Sequence, residues 1–285
     1  MKPNENHPQS DDTPDTAGLP HTRPQVFWDR LRHCGGRLFL CGLLLLAFAL
    51  PLLLVGFFGD LAFASLTDRL TRGEMTEEEY RGAARVMLYA VSLLKTVGYV
   101  LFGIGAAGAA RQIRQMVWSE SYEFRRDFFV GIRQNAGWYS LCFLLVGLFC
   151  GFGDCVLQQQ SGWLAWLPVF LYAFLIFPVL LHILVQSTLY THRFRDMWYT
   201  CTFMYVKTLP VSLLFSFLFL SYRLPDALTF TARYCVKAVW ILLLPLCFMA
   251  WYLCVSAALD RYINREHYPE LVDRGVWREN VSGKQ

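Results

Sequence analysis

The sequence predicts an all-α polytopic membrane bundle, with about six membrane-crossing helices and one cytoplasmic helix lying in the membrane interface. Three observations carry that prediction. Of the 285 residues, 55% are hydrophobic and 17% charged, whereas soluble domains average about 45–50% apolar and about 25% charged. Mean hydropathy is +0.34. The apolar residues fall in runs of about 20, the length that crosses a hydrocarbon core of about 30 Å. Basic residues crowd beside those runs, as at membrane surfaces, and not along a solvated stripe interleaved with stacking aromatics as nucleic-acid binding requires. The bilayer is therefore the expected partner, and nucleic acid is not.

Residues 1–24 are rich in Pro, Asp, Asn and Thr and nearly devoid of large apolar side chains, a composition too polar to order itself. Residues 1–37 read as a disordered cytoplasmic tail, 38–260 as the membrane domain, and 261–285 as a cytoplasmic C-terminal tail. The first span covers 38–58, with Pro51 inside it. Membrane helices tolerate such a proline when neighbours satisfy the freed carbonyl. Residues 59–85, with Glu77, Glu78 and Glu79, read as a polar loop.

The second run, 86–110, holds one charge, Lys95. A central lysine costs about 2.5–3.5 kcal/mol on insertion scales, and the apolar side chains around it return about 3–5 kcal/mol, so the run crosses by a narrow margin. The remaining spans are 138–156, 163–185, 203–220 and 234–259. Pro168, Pro178, Pro210 and Pro245 mark kinks or starts. Trp138, Trp163, Trp166, Trp198, Trp240 and Trp251 suit an interfacial belt or packing roles.

With six spans, one side of the membrane collects 18 basic residues and the other 7. The rich side is expected to be cytoplasmic, which places both tails inside a multi-pass cell-membrane protein. At 119–138, Phe124, Phe128 and Ile132 form a helical stripe flanked by Arg125, Arg126 and Arg133, the pattern of a helix lying in the inner interface.

Gly103, Gly105 and Gly108 spell G-x-G-x-x-G, with Asp127 some way beyond. The dinucleotide fingerprint needs a short strand and a βαβ unit, which this context lacks. The small residues instead predict close helix packing, as does the Gly147-x-x-x-Gly151 pair. The nine cysteines form no C-x-x-C pair and read as buried free thiols. No metal-binding or catalytic spacing occurs in the sequence, so neither a cofactor nor an enzyme is expected.

Four polar residues stand out as candidate functional positions. Lys95 must pair, face a wet cavity or snorkel. Asp60 and Asp154, at the outer ends of the first and third spans, are the carboxylates within reach of it. His182, near the inner end of the fourth span, reads as a hydrogen-bonded structural histidine.

Other residues carry a resemblance to a family. They are the small-residue run from Gly105 through Gly108 to Arg111 and Arg114, and Phe124, Asp127, Phe128 and Phe129 followed by Arg133 and Asn135. Weaker matches are Leu50-Pro51, Phe177-Pro178 and the amphipathic stretch 194–207 leading to Pro210. On these the chain resembles the YesL-like family of bacterial integral membrane proteins over residues 38–260. The resemblance implies a helical membrane protein often encoded near sugar-uptake systems, with no established activity or catalytic residues. Two functions are therefore expected from different classes. One is an accessory or regulatory partner of carbohydrate-transporter subunits. The other is a small-solute transporter or permease, which would need a polar cavity near Lys95, Asp154 and His182.

Overall fold

A computed structural model of the chain describes residues 19–120, 123–159, 162–191 and 193–277. It is all helical, with no strand among the described residues. Seven helices account for it: α1 (Arg23–Thr71), α2 (Glu77–Trp118), α3 (Phe124–Gln159), α4 (Trp163–Gln186), α5 (Phe194–Lys207), α6 (Leu209–Leu220) and α7 (Phe230–His267). Five of these (α1, α2, α3, α4 and α7) are long and apolar enough to cross a membrane.

Large apolar side chains cover the outside of the bundle. Leu50, Phe58, Leu93, Leu94, Leu148, Phe152, Leu214 and Leu243 are all exposed, a surface that water does not tolerate and lipid does. Small residues occupy the inside. A Cβ on Gly98 would sit 2.9 Å from the Leu52 backbone, one on Gly147 2.8 Å from that of Thr96, and one on Gly42 2.5 Å from the Leu242 carbonyl oxygen. Glycines thus bring α2 against α1 and α3, and α1 against α7, by backbone approach, which supplies cohesion where no hydrophobic effect operates between helices.

The contacts fix the course of the chain. Gly42 meets Leu242 and Gly56 meets Tyr234, while Arg23 reaches Asp260, so α1 and α7 run antiparallel. The Trp277 N–H donates to the Pro20 carbonyl at 2.9 Å. Both ends of the described chain therefore lie at one pole of the bundle, termed here the terminal pole; the opposite end is the distal pole.

Several expectations are corrected. Residues 23–37, expected in a disordered tail, are the first turns of α1, begun by Pro24 and by Gln25 accepting the Thr22 N–H; residues 1–18 lie outside the described chain. Within the expected C-terminal tail of 261–285, residues 261–277 fold back on the terminal pole through Asp273 and Trp277, and 278–285 lie outside the described residues. Residues 59–85 are no loop: α1 and α2 continue as a helical hairpin turned only at 72–76. A left-handed Gly73 makes that turn, and Thr76 with Glu79 caps α2.

The stretch 124–135 is the start of α3, not a separate interfacial helix. Its Phe128 ring is seated on Gly108, where a Cβ would come within 2.8 Å of it. That seat holds the segment upright along α2. The notional fifth span, 203–220, is broken at Thr208, where α5 and α6 meet at 102°. Pro210 has no N–H to donate to the Val206 carbonyl and so cannot continue α5, but it suits the first turn of a new helix, where that N–H would be unused.

α5, turned nearly perpendicular to α6, buries Met197, Cys201, Met204 and Tyr205 and exposes Trp198, Tyr199, Phe203 and Val206. Those spacings are those of an amphipathic helix lying across the bundle. α6 then carries the chain towards the distal pole. Its 12 residues give about 18 Å at 1.5 Å per residue, and a 3₁₀ segment, Ser221–Ala227, continues the climb.

Proline is accommodated in α4 by a neighbour. Pro178 cannot donate to the Phe174 carbonyl four residues back. A π-helical turn, Tyr172–Ile176, precedes the proline, and the Tyr205 hydroxyl donates to the Phe174 oxygen instead. The nine cysteines are free, but Cys235 and Cys254 are exposed and not buried. Of the tryptophans, Trp163 and Trp166 are exposed, whereas Trp251 is fully buried and donates to the Leu181 carbonyl.

Candidate functional site

A polar cavity of about 250 Å³ opens among α1, α2, α3, the 3₁₀ segment and α7 towards the distal pole. Gly56, Gly147 and Gly151 are among the residues that line it. From Asp60 at its rim to Leu52 near its floor, eight steps along α1 span about 12 Å. Lys95 faces it from α2. Since Gly59 meets Val91 and Gly98 meets Leu52, Lys95 lies level with Val55, below the rim.

Seven charged side chains line this cavity: the carboxylates of Asp60, Asp154 and Asp226, and the cations Lys95, Arg223, Arg233 and Lys237. Three of the cations engage the three carboxylates, Arg223 also lying 3.8 Å from Asp226, and one cation is left over. Arg233 donates to Asp60 at 2.5 Å, Lys237 to Asp226 at 2.5 Å, and Arg223 to Asp154. The Tyr234 hydroxyl also donates to Asp60, at 2.9 Å, and the Lys237 ammonium lies 5.2 Å from the Tyr222 ring centre. Each carboxylate is thus held by a cation from the 3₁₀ segment or α7. Lys95 has no carboxylate within ion-pair distance among the described residues.

This geometry answers two sequence expectations. Asp60, Asp154 and Lys95, distant in sequence, share one cavity. The pairing of Lys95 with Asp60 or Asp154, raised by their common level, does not form, because arginines reach both acids first. Arg223, Arg233, Lys237 and Asp226 were missed. Their signal was the three basic residues of 221–237, lying next to the span ends that carry Asp60 and Asp154.

His182 belongs to another site. It is fully buried, and its Nε2 lies 2.9 Å from the Ser212 hydroxyl and 3.2 Å from that of Thr208. Thr208 also donates to the Met204 carbonyl at 2.7 Å, and the His182 ring meets Trp251 edge-on at 4.9 Å. His182 therefore stitches α4 to the break between α5 and α6, far from Lys95.

The other candidate residues, from Gly105 to Asn135, lie mostly where α2 and α3 pack and join. A Cβ on Gly105 would strike the Phe48 ring at 2.5 Å. The Phe124 carbonyl accepts from Gln112 at 2.9 Å, and Asp127 caps its own helix by accepting the Glu123 N–H at 2.9 Å. Asp127 also lies 3.6 Å from Arg111. Asn135 is buried, while Phe129 and Arg133 are exposed.

A second polar cluster ties the terminal pole together. Asp260 accepts from Arg23 at 2.5 Å, from the Asn264 amide at 2.7 Å and from the Asp273 N–H at 3.1 Å. Tyr190, in the connection after α4, donates to Asn264 at 2.5 Å. Burial, and then the nearby Asp260 charge, push the Tyr190 hydroxyl pKa above its ordinary value.

Beneath the polar cavity lies an apolar one of about 120 Å³, lined almost wholly by carbon from α1, α2, α3, α4, α6 and α7. The two share Leu52, Tyr99, Cys150, Tyr222 and Arg223. No protein-family model matches the chain, and no curated protein or solved structure is significantly similar to it.

Proposed function

We propose that the protein binds a small anionic solute in the distal cavity and carries it across the membrane. The carrying observation is the uneven pairing: three carboxylates, four cations, and Lys95 left without a counter-charge. A cation held inside a bundle needs a partner. An anion entering the cavity supplies one without breaking an existing pair.

The distribution of basic residues orients this site. Of the 18 basic residues expected on the inner side, the 15 that fall within the described residues gather at the terminal side; in this reading that pole is the cytoplasmic one and the cavity faces outward.

Matched probes test the reading: propanesulfonate, propanediol and propylammonium, applied to the purified protein in neutral-lipid nanodiscs and in liposomes. Propanesulfonate should raise the thermal midpoint and exchange across liposomes, with the effect lost in Lys95→Met and kept in Lys95→Arg. Equal responses to all three probes, or an unchanged Lys95→Met, would overturn it.

The YesL-like resemblance supports a second reading, an accessory component of carbohydrate uptake. The observation favouring it is the terminal pole, where Arg125, Arg126, Arg133 and Arg195 are exposed. Copurification with transporter subunits, lost when these arginines are neutralised, is the test.

A further inference from the structure

Two cavities of opposite character meet end to end along the bundle axis. The upper one holds the unpaired ammonium of Lys95 and the rim charges. The lower one is walled by hydrocarbon and aromatic rings, and Arg223 borders both. The lower cavity reaches inward as far as Ile113 on α2 and Leu184 on α4, residues close to the terminal pole. From Asp60 to Leu45, the residues of α1 that line one cavity or the other cover about 22 Å at 1.5 Å per residue.

A small hydrophilic anion would use only the upper half. Water gains little in the lower half, because an apolar cavity offers it no hydrogen-bond partners. A flexible chain of methylene groups fits there, since it carries no polar group to satisfy and recovers the dispersion contacts that an empty cavity forfeits. The order of the two halves, charge near the membrane surface and hydrocarbon beneath, is also that of an amphiphile standing in a bilayer leaflet.

We infer that the ligand is a single-chain amphiphile bearing one negative charge, its head against Lys95 and Arg223 and its tail in the apolar cavity beneath. This rests on the anion-site reading and adds to it the requirement for a tail. The charge count sets the head at one negative charge, and the narrow lower cavity sets one chain and not two.

The test is a chain-length series of alkanesulfonates, from propane to decane, titrated calorimetrically into the full chain in neutral-lipid nanodiscs, with empty nanodiscs as reference. Alkyltrimethylammonium ions of equal length serve as charge controls. Affinity should rise with length, octanesulfonate binding about tenfold or more tightly than propanesulfonate. Lys95→Met should lose sulfonate preference at every length, and Lys95→Arg should retain it.

Ala109, buried on α2 and lining the lower cavity, gives a second handle. Ala109→Leu should abolish the gain from length while leaving propanesulfonate binding unchanged. Were that variant to misfold, the series on the wild-type chain would still decide. Sulfonate binding that requires Lys95 but is flat with length overturns the tail while leaving the anion site standing. No preference for sulfonate over trimethylammonium at any length overturns both.

Discussion

Arg23, in the first turn of α1, donates to Asp260 at the far end of the last long helix at 2.5 Å, joining residues 237 positions apart. Asp260 also receives the Asn264 amide and the Asp273 N–H, so this carboxylate organises the terminal pole. Truncating one partner of a largely buried pair strands the other's charge. Asp260→Ala should therefore lower stability by about 3 kcal/mol, read as a fall in thermal midpoint in detergent. Removing the exposed Glu77 partner of Arg81 should change it by at most a few tenths of a kcal/mol. Equal small shifts from both would contradict the organising role.

Glycines in α1 should respond to alanine in opposite directions. At Gly42 an added Cβ meets the Leu242 carbonyl at 2.5 Å, whereas at Gly36 nothing lies within 4 Å. Gly42→Ala should cost about 1–3 kcal/mol as α1 and α7 are pushed apart. Gly36→Ala should stabilise by about 0.5–1 kcal/mol through helix propensity. Thermal unfolding of the two variants side by side decides the matter.

Tyr205 and Pro178 form a compensating pair. Tyr205→Phe leaves the Phe174 carbonyl without the hydroxyl that serves it, a loss of about 1–2 kcal/mol. In a Pro178→Ala background the restored N–H can reach that carbonyl, and the same change should cost much less. A double-mutant cycle measures the coupling; simple additivity would refute it.

The start of α2 should weaken in acid. Hydrogen bonds from the backbone N–H and then the hydroxyl of Thr76 hold the Glu79 carboxyl below its ordinary value of 4.5. A lowered folded value stabilises the cap fully above the unfolded pKa, and that contribution disappears as pH falls through the folded one. Hydrogen exchange at residues 77–81, corrected for intrinsic rates, should therefore accelerate in acid in the wild type. Glu79→Gln should remove that dependence while keeping the helix.

Much of this bundle is legible in sequence because hydrocarbon imposes its own length rule. The runs at 38–58, 86–110, 138–156, 163–185 and 234–259 each fall within a helix long enough to cross. The extent of the helices was less legible. Polar residues 59–85 look like a loop by hydropathy, yet the Thr76-x-x-Glu79 spacing marks a helix start, and only five residues were needed to turn. Lys95 stands out for its insertion cost, and Asp60 and Asp154 as the carboxylates at its level. That arginines take both acids depends on a 3₁₀ segment and on the register of α7 against α1, neither of which a local pattern encodes. The break at Thr208 was partly legible: the amphipathic stretch 194–207 ends at Lys207-Thr208 just before Pro210, although hydropathy alone joins 203–220 into one span.

The contact between residues 20 and 277 makes the polypeptide nearly annular. Severing it at the turn around Gly73 and joining residue 277 to residue 20 would yield a circular permutant that keeps the interhelical seats of the described chain. Both of its new ends would emerge on the opposite face of the membrane. Such a molecule would separate two instructions that the natural chain issues together, the order in which segments are synthesised and the electrostatic cue for sidedness, and would show which one the insertion machinery obeys.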